Sequence, residues 1–195
     1  NNPAIILADG IIGQMMEKVV LPPFRPRRTE EEIRKQMPWA TQGKLAGHKR
    51  NVITSLELDP AIMEENNIRF QAKYRKIEEA EVRYEEIGCE NADYLMIAFG
   101  SMARICLKTQ EMALAEGIKV GVLRPITLWP FPSKIIAEYA NKVKGMISVE
   151  LNAGQMVEDI RLAVNGKVKV EHFGRLGGIV PTPDEVLNAL KQKLM

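Results

Sequence analysis

The run YLMIAFGSMARICLKTQEMALAEGIKVGVLRPITLWPFP, residues 94–132, decides the fold. Tyr94 to Phe99 is uninterrupted apolar sequence bounded by Asp93 and Gly100, the pattern of a strand buried on both faces of a parallel sheet. Gly100 and Ser101 supply a tight turn and a candidate N-cap. Met102, Ile105, Cys106, Thr109, Met112 and Ala113 then recur at spacings of three and four, one stripe of a helix that Gly117 closes. Ile118 to Leu123 reads as the next strand. Strand, helix and strand make a βαβ unit, expected to cross over right-handed and to deliver Gly100-Ser101 and Arg124-Pro125 to the same sheet edge. Ligands and partner surfaces are expected along that edge.

Downstream, Arg124 to Pro132 holds three prolines and two aromatics, so it reads as a stiff loop and not as a strand. Trp129 and Phe131 are either plugs under that loop or contacts for a partner. Ser133 to Val143 reads as a helix with Ile136, Tyr139, Ala140 and Val143 on one side, and Met146 to Val149 as a third strand. Glu150 to Gln155 follow, polar residues placed either to cap the next helix, which bears Met156, Val157, Ile160, Ala163 and Val164, or to meet a ligand. Asn165-Gly166 turns the chain into a fourth strand, Val168 to Phe173. Gly174 to Gly178 reads as a turn, and Thr182-Pro-Asp-Glu185 is a capping box with proline at the first helical position. For residues 93–195 the expectation is an α/β domain, an open, mostly parallel sheet of about four strands with helices on both faces.

Upstream, Ala4 to Ala8 reads as a strand, Asp9-Gly10 as a turn, and Gly13 to Val20 as a helix with Met15, Met16, Val19 and Val20 on its apolar side. The spacing Gly10-x-x-Gly13 fits a plain turn as well as a phosphate cradle. Residues 21–59 form a basic, proline-containing linker, with eight Lys or Arg against three Glu between Leu21 and Arg50. Such a stretch is either a solvated connection or an arm for phosphates and nucleic acid, with only Phe24 and Trp39 available for stacking. Asn51 to Leu58 is a short strand or an ordered loop. Asp59-Pro60 then opens a long helix, expected to reach Ile87 within a segment spanning 60–92. Met63, Phe70, Ile77 and Tyr84 fall seven apart along it. A helix of that length spans about 40 Å and would either lie across its own sheet or brace the linker against another subunit.

The net charge of +2 and ordinary apolar content single out no partner. Two cysteines, Cys89 and Cys106, are too few for a disulfide framework, a zinc ribbon or a cluster-binding run, which implies a reducing compartment and no metal on this chain. No apolar stretch reaches the roughly 18 residues of a membrane span and no signal peptide is read, so a cytoplasmic location is expected. The chain enters a buried-looking strand almost at once, as a piece of a longer protein would. Its two histidines, His48 and His172, sit near no Gly-x-Ser-x-Gly elbow, and neither a Walker motif nor Gly-x-Gly-x-x-Gly occurs. No catalytic residue is expected. Gly100, Ser101 and Arg104 at a helix start are candidates for binding an anion. Arg124, Trp129, Glu150, Asn152 and Gln155, at strand ends, are candidates for contact with partner chains.

Four blocks carry a family resemblance: Ile97-Ala-Phe-Gly-Ser-Met-Ala-Arg104; Gly117-Ile-Lys-Val-Gly-Val-Leu-Arg-Pro-Ile-Thr-Leu-Trp-Pro-Phe-Pro132; Val149-Glu-Leu-Asn-Ala-Gly-Gln-Met-Val-Glu-Asp-Ile-Arg161; and Gly174-Arg-Leu-Gly-Gly178. In this order they resemble the alpha-type subunit of 2-oxoacid:ferredoxin oxidoreductases. From Asp93 onward the resemblance implies a transketolase C-terminal-like domain. Pro3 to Val20 looks like the tail of the pyrimidine-binding domain that precedes it in that family, which assigns residues 1–20 to that tail. Asn51 to Leu56 and Asn67 to Gln71 resemble the branched-chain, 2-oxoisovalerate type. The resemblance implies a complex that uses thiamine diphosphate, magnesium, iron–sulfur clusters and coenzyme A, with thiamine-binding and ferredoxin-type subunits as partners in an oligomer. The cofactor supplies the electron sink and the protein supplies orientation. The Gly-Asp-Gly…Asn diphosphate signature, the activating glutamate and the cluster cysteines are not in this sequence, so the polypeptide alone is expected to be inactive. Two competing readings stand beside it. One is a free-standing module binding an acidic partner or nucleic acid; the other is a related domain of a thiamine-dependent 2-oxoacid dehydrogenase serving a lipoyl arm.

Overall fold

The computed structural model describes residues 3–40, 43, 47 and 49–195. Its residues group into two compact units, one running to residue 14 and resuming at 73–195, the other covering 15–72. His48 and part of the basic linker around it lie outside the described residues. The helices are α1 (Gly10–Gln14), α2 (Glu30–Gln36), α3 (Pro60–Ala80), α4 (Gly100–Ala115), α5 (Ser133–Tyr139), α6 (Met156–Val164) and α7 (Pro183–Leu194). The strands are β1 (Tyr84–Ile87), β2 (Tyr94–Ile97), β3 (Val120–Pro125), β4 (Gly145–Glu150) and β5 (Lys169–Gly174).

The larger unit is built on one five-stranded sheet in the order β1-β3-β2-β4-β5. β2 pairs in parallel with both β3 and β4, and β4 in parallel with β5. This is the open, mostly parallel α/β sheet expected from the sequence. Alternation along the strands divides the core between two faces. Met96, Val122, Ile147 and Val149 pack with Met102, Cys106 and Ala113 of α4 and Val186, Leu187 and Leu190 of α7. Leu95, Ile97, Leu123 and Met146 pack on the other face with Ile136 and Tyr139 of α5 and Met156 and Ile160 of α6. Two helix ends carry the caps that the sequence announces. Thr182 and Glu185 form the reciprocal capping box of α7, and Asn165 closes α6 in the left-handed conformation at φ 50°.

Three expectations are corrected. The long helix stops at Ala80, and Tyr84–Ile87 is an antiparallel edge strand that pairs Tyr84 with Pro125 and Glu86 with Leu123. Backbone pairing at the edge of β3 outweighs the helix propensity of this Glu-rich segment. It is anchored by the Arg83 carbonyl, which accepts from the amides of Ile126 and Thr127, and by the Thr127 hydroxyl, which accepts from the Arg83 amide at 3.0 Å. The expected strand Ala4 to Ala8 has no regular structure, and no strand among the described residues pairs with it. The helix expected at Gly13 to Val20 is instead the short α1, which begins after Asp9; the Asp9 carboxylate accepts from the Ile11 amide at 2.9 Å. Asn51 to Leu58 is loop and not strand.

The unit of residues 15–72 has its own local order. Thr29 and Glu32 form a capping box on α2, an element the basic composition of the linker concealed. Asn51 ties the following loop back by donating to the carbonyls of Pro38 and Ala40, each at 3.0 Å. Asp59 accepts from the Ala61 amide at 2.8 Å and opens α3 as the Asp-Pro pair predicts.

Candidate functional site

The chain leaves β2 through α4 to reach β3 on one side, whereas β4 lies on the other side of β2. The crevice between the C-terminal ends of β2 and β4 is therefore the switch point of the sheet, where open α/β folds bind ligands. A cleft of about 400 Å³ opens there. Its walls are Phe99 to Met102 after β2, Val149 to Asn152 at the end of β4, and Leu7, Asp9 and Ile12 from the N-terminal segment.

Glu150 dominates the electrostatics of this cleft. Its side chain is buried, with the residue 1% exposed, so the carboxylate needs internal donors. It has them: the hydroxyl of Ser148 at 2.7 Å, and the amides of Gln155 at 3.2 Å, Met156 at 2.9 Å and Val157 at 3.0 Å, the open N-terminal amides of α6. Burial pushes the Glu150 carboxyl up, but the Ser148 hydroxyl, the Met156 and Gln155 amides and the Asn152 side chain outweigh it and leave the group below its ordinary value. Asn152 orders the same loop by accepting from the Gly154 amide at 2.7 Å. Of the two roles open for these residues, capping and loop ordering is the one their hydrogen bonds fulfil.

His172 of β5 stands behind this loop, its Nδ1 3.5 Å from a Glu150 oxygen and without a hydrogen-bond partner. Gly174 lets the loop close on the strand. A Cβ at that position would come 2.1 Å from the Asn152 carbonyl oxygen and 2.6 Å from His172 Nε2.

The anion candidates gather at the start of α4. Gly100 takes φ +56° as the first helical residue, and Phe99 stands at the N-cap without a capping side chain. Ser101 lies inside the first turn and is not the N-cap; its hydroxyl donates to Asp9 at 2.7 Å. Arg104 is on the exposed side of α4 one turn later. The partner-contact candidates divide into two groups. Glu150 and Asn152 line the cleft, and Gln155 adjoins them. Arg124 and Trp129 stand beyond β2 at the end of β3. Arg124 pairs with Glu85 of β1 at 2.9 Å, and Trp129 is exposed, with Tyr74 edge-on against it at 5.7 Å between ring centres. Phe131 is the plug of the proline loop, packed against the α5/α6 side of the core. Sequence reasoning missed Asp9, Ser148 and His172 as members of this region. For Asp9 the signal was present in the Asp-Gly turn; for Ser148, inside an apolar strand, no local signal marks it.

Residues 92–186 match the family model of the pyruvate:ferredoxin oxidoreductase core domain II. Over 98% of its length the chain is 43% identical to the ketoisovalerate oxidoreductase subunit VorB of Methanothermobacter thermautotrophicus, of which it covers 52%. The chain is similar over nearly its whole length to subunits of 2-oxoacid:ferredoxin oxidoreductases. It spans about half the length of the curated relatives that lead the comparison. Among solved structures, a 2-oxoglutarate:ferredoxin oxidoreductase from Magnetococcus marinus, described with 2-oxoglutarate, coenzyme A and succinyl-CoA bound, superposes with a TM-score of 0.62 at 26% identity, covering 71% of this chain and 24% of that one. A split-gene transketolase, described as an inactive beta4 tetramer, superposes with a TM-score of 0.50 at 20% identity, covering 57% of this chain and 41% of that one, and shares the fold. Cys89 packs on the α5/α6 side of the sheet and Cys106 on the α4/α7 side, both buried, so they do not fit as joint ligands of an iron–sulfur cluster. Among the described residues no group of three or more His, Cys, Asp or Glu side chains is placed to hold a metal ion.

Proposed function

We propose that this chain is the C-terminal part of a subunit of a thiamine diphosphate-dependent 2-oxoacid:ferredoxin oxidoreductase of the 2-oxoisovalerate type. The complex would decarboxylate the 2-oxoacid oxidatively, form an acyl-CoA and pass electrons to ferredoxin. The observation that carries this reading is the 43% identity, over nearly the whole chain, to a ketoisovalerate oxidoreductase subunit. In this proposal residues 1–20 are the tail of an upstream pyrimidine-binding domain, 21–59 a linker, 60–92 a bracing segment, and 93–195 the transketolase C-terminal-like domain. Thiamine diphosphate, magnesium, the clusters and coenzyme A belong to the assembled complex, with partner chains supplying the ligands that this sequence lacks.

The role assigned to this part is assembly and site geometry. Its support is chemical: Glu150 and Asn152 are committed to backbone amides, and burial raises both thiols above their ordinary value, which disfavours the nucleophilic thiolate. The exposed Trp129 and the ordered loop Leu151 to Gln155 are the surfaces we assign to partner chains, and a cytoplasmic location goes with them. No helix among the described residues is long and apolar enough to cross a membrane. The test is to assay the assembled full-length complex with pyruvate, 2-oxoglutarate and 2-oxoisovalerate in parallel, beside the isolated chain. Preference for 2-oxoisovalerate and no turnover by the isolated chain is expected. Turnover by the isolated chain overturns the accessory role, and a preference for either other acid overturns the substrate.

A further inference from the structure

The register of β4 and β5 sets Ser148 beside His172 and Glu150 beside Gly174. Even-numbered positions of both strands face the α5/α6 layer, as Met146 and Val170 do, so the His172 ring and the Glu150 carboxylate share one face of the sheet. Gly174 has no side chain to separate them. A Cβ there would come 2.6 Å from His172 Nε2 and 3.0 Å from its Cε1, and a Cβ on Gly154 would come 3.6 Å from Cδ2 and Nε2 of the same ring. The ring fills the space that these two glycines leave open, against the loop Leu151 to Gln155.

One atom of this arrangement has no task. His172 Nδ1 is buried without a hydrogen-bond partner, 3.5 Å from Glu150 Oε1. That oxygen already accepts from the Ser148 hydroxyl at 2.7 Å and the Val157 amide at 3.0 Å, and Oε2 accepts from Gln155 at 3.2 Å and Met156 at 2.9 Å. With four donors in place the carboxylate gains little from a neutral ring, whereas an imidazolium brings it a charge. Against the upward push of burial, the donors leave the Glu150 carboxyl below its ordinary value, so it stays ionised through the range in which an imidazole titrates.

The other charges nearby are engaged or turned away. Lys169 and Glu171, paired at 3.2 Å, alternate onto the α4/α7 face of β5. Arg175, whose amide donates to the Glu150 carbonyl at 3.3 Å, pairs with Glu185 of α7 at 3.6 Å. On α6, Glu158 and Asp159 in the first turn and Arg161 in the last are exposed. Among these side-chain types only an imidazole, in its unperturbed state, changes charge between about pH 5 and pH 8.

We propose that His172 is a proton-operated latch for the loop Leu151 to Gln155: the protonated ring pairs with Glu150 and holds the loop against β5, and the neutral ring releases that hold. The proton comes from solvent, to which the His172 side chain is 20% open. This loop is one of the surfaces assigned above to partner chains, so the latch sets how firmly that surface is presented as pH changes.

The test is hydrogen exchange on the full-length polypeptide, read as protection of the Gln155, Met156 and Val157 amides after correction for the intrinsic rate at each pH. Wild type is expected to lose protection there about tenfold between about pH 5.5 and pH 8, while His172→Gln shows a flat profile. Each profile is a ratio within one variant, so a general loosening of the domain by the substitution cancels. The midpoint of the wild-type loss should coincide with the titration of the histidine ring resonance that is missing from His172→Gln. A flat wild-type profile, an equal loss in His172→Gln, or a midpoint apart from that ring titration overturns the latch. Neither partner chain nor 2-oxoacid enters this measurement, so its failure leaves the proposed function standing, and failure of the substrate assay leaves the latch standing.

Discussion

At the scale of single residues the molecule turns on a buried carboxylate. Glu150 is 1% exposed, and four donors within 3.2 Å keep it ionised and join the end of β4 to the start of α6. Replacing it by glutamine keeps one acceptor oxygen, loses the charge and presents an NH₂ group to amides that need an acceptor. Glu150→Gln is expected to cost about 2–3 kcal/mol in urea unfolding at pH 7. The pH dependence has a definite sign. A carboxyl whose folded value is depressed contributes stability above its ordinary value of 4.5, and that contribution is lost as pH falls through the lower folded value. Unfolding curves of wild type and Glu150→Gln should therefore draw together on acidification below pH 4.5; curves that stay parallel down to pH 3 would mean that the charge is not what holds α6.

At the scale of elements, what could be read in the sequence was what carries its own pattern. Tyr94 to Phe99 and the stripe from Met102 to Ala113 are legible because burial on two faces, or on one side of a helix, leaves a period in the residues themselves. The α7 capping box is legible for the same reason. Its loss in Thr182→Ala is expected to cost about 1 kcal/mol, measurable as a shift of the denaturation midpoint at unchanged slope. β1 was not legible. Its sequence, Tyr-Glu-Glu-Ile, is nearly all exposed, and it is a strand because β3 has a free edge, a fact that lies 40 or so residues away. Ala4 to Ala8 differs in the opposite sense: it has the composition of a strand, and no strand among the described residues pairs with it. In the site, the loop after β4 was legible as polar residues at a strand end, but the partners of Glu150 were not, since they are backbone amides without side-chain identity. Asp9 and Ser101 were each noticed as turn residues, and only the fold shows that they meet.

At the scale of the whole molecule, the buried core lies almost entirely between residues 89 and 190, whereas the unit of residues 15–72 has no buried side chain among its described residues. Arg25, Arg27, Arg28, Lys35, Lys49 and Arg50 are exposed there. Brief trypsin treatment should cut within 25–50 before any site between 94 and 150, leaving the five-stranded sheet as the resistant fragment; mass spectrometry of the products checks this. The two free cysteines have a further consequence. Burial pushes the Cys89 thiol up to about 11 and the Cys106 thiol higher still, so neither should react with an alkylating reagent near neutral pH while the chain is folded. One sits under each helical layer, which gives the protein a pair of native reporters, Cys89 for the loss of α5 and α6 and Cys106 for the loss of α4 and α7. Since both layers rest on the same three central strands, the two sulfurs should become labelled together as urea rises, and labelling of one well before the other would show that the layers peel off independently.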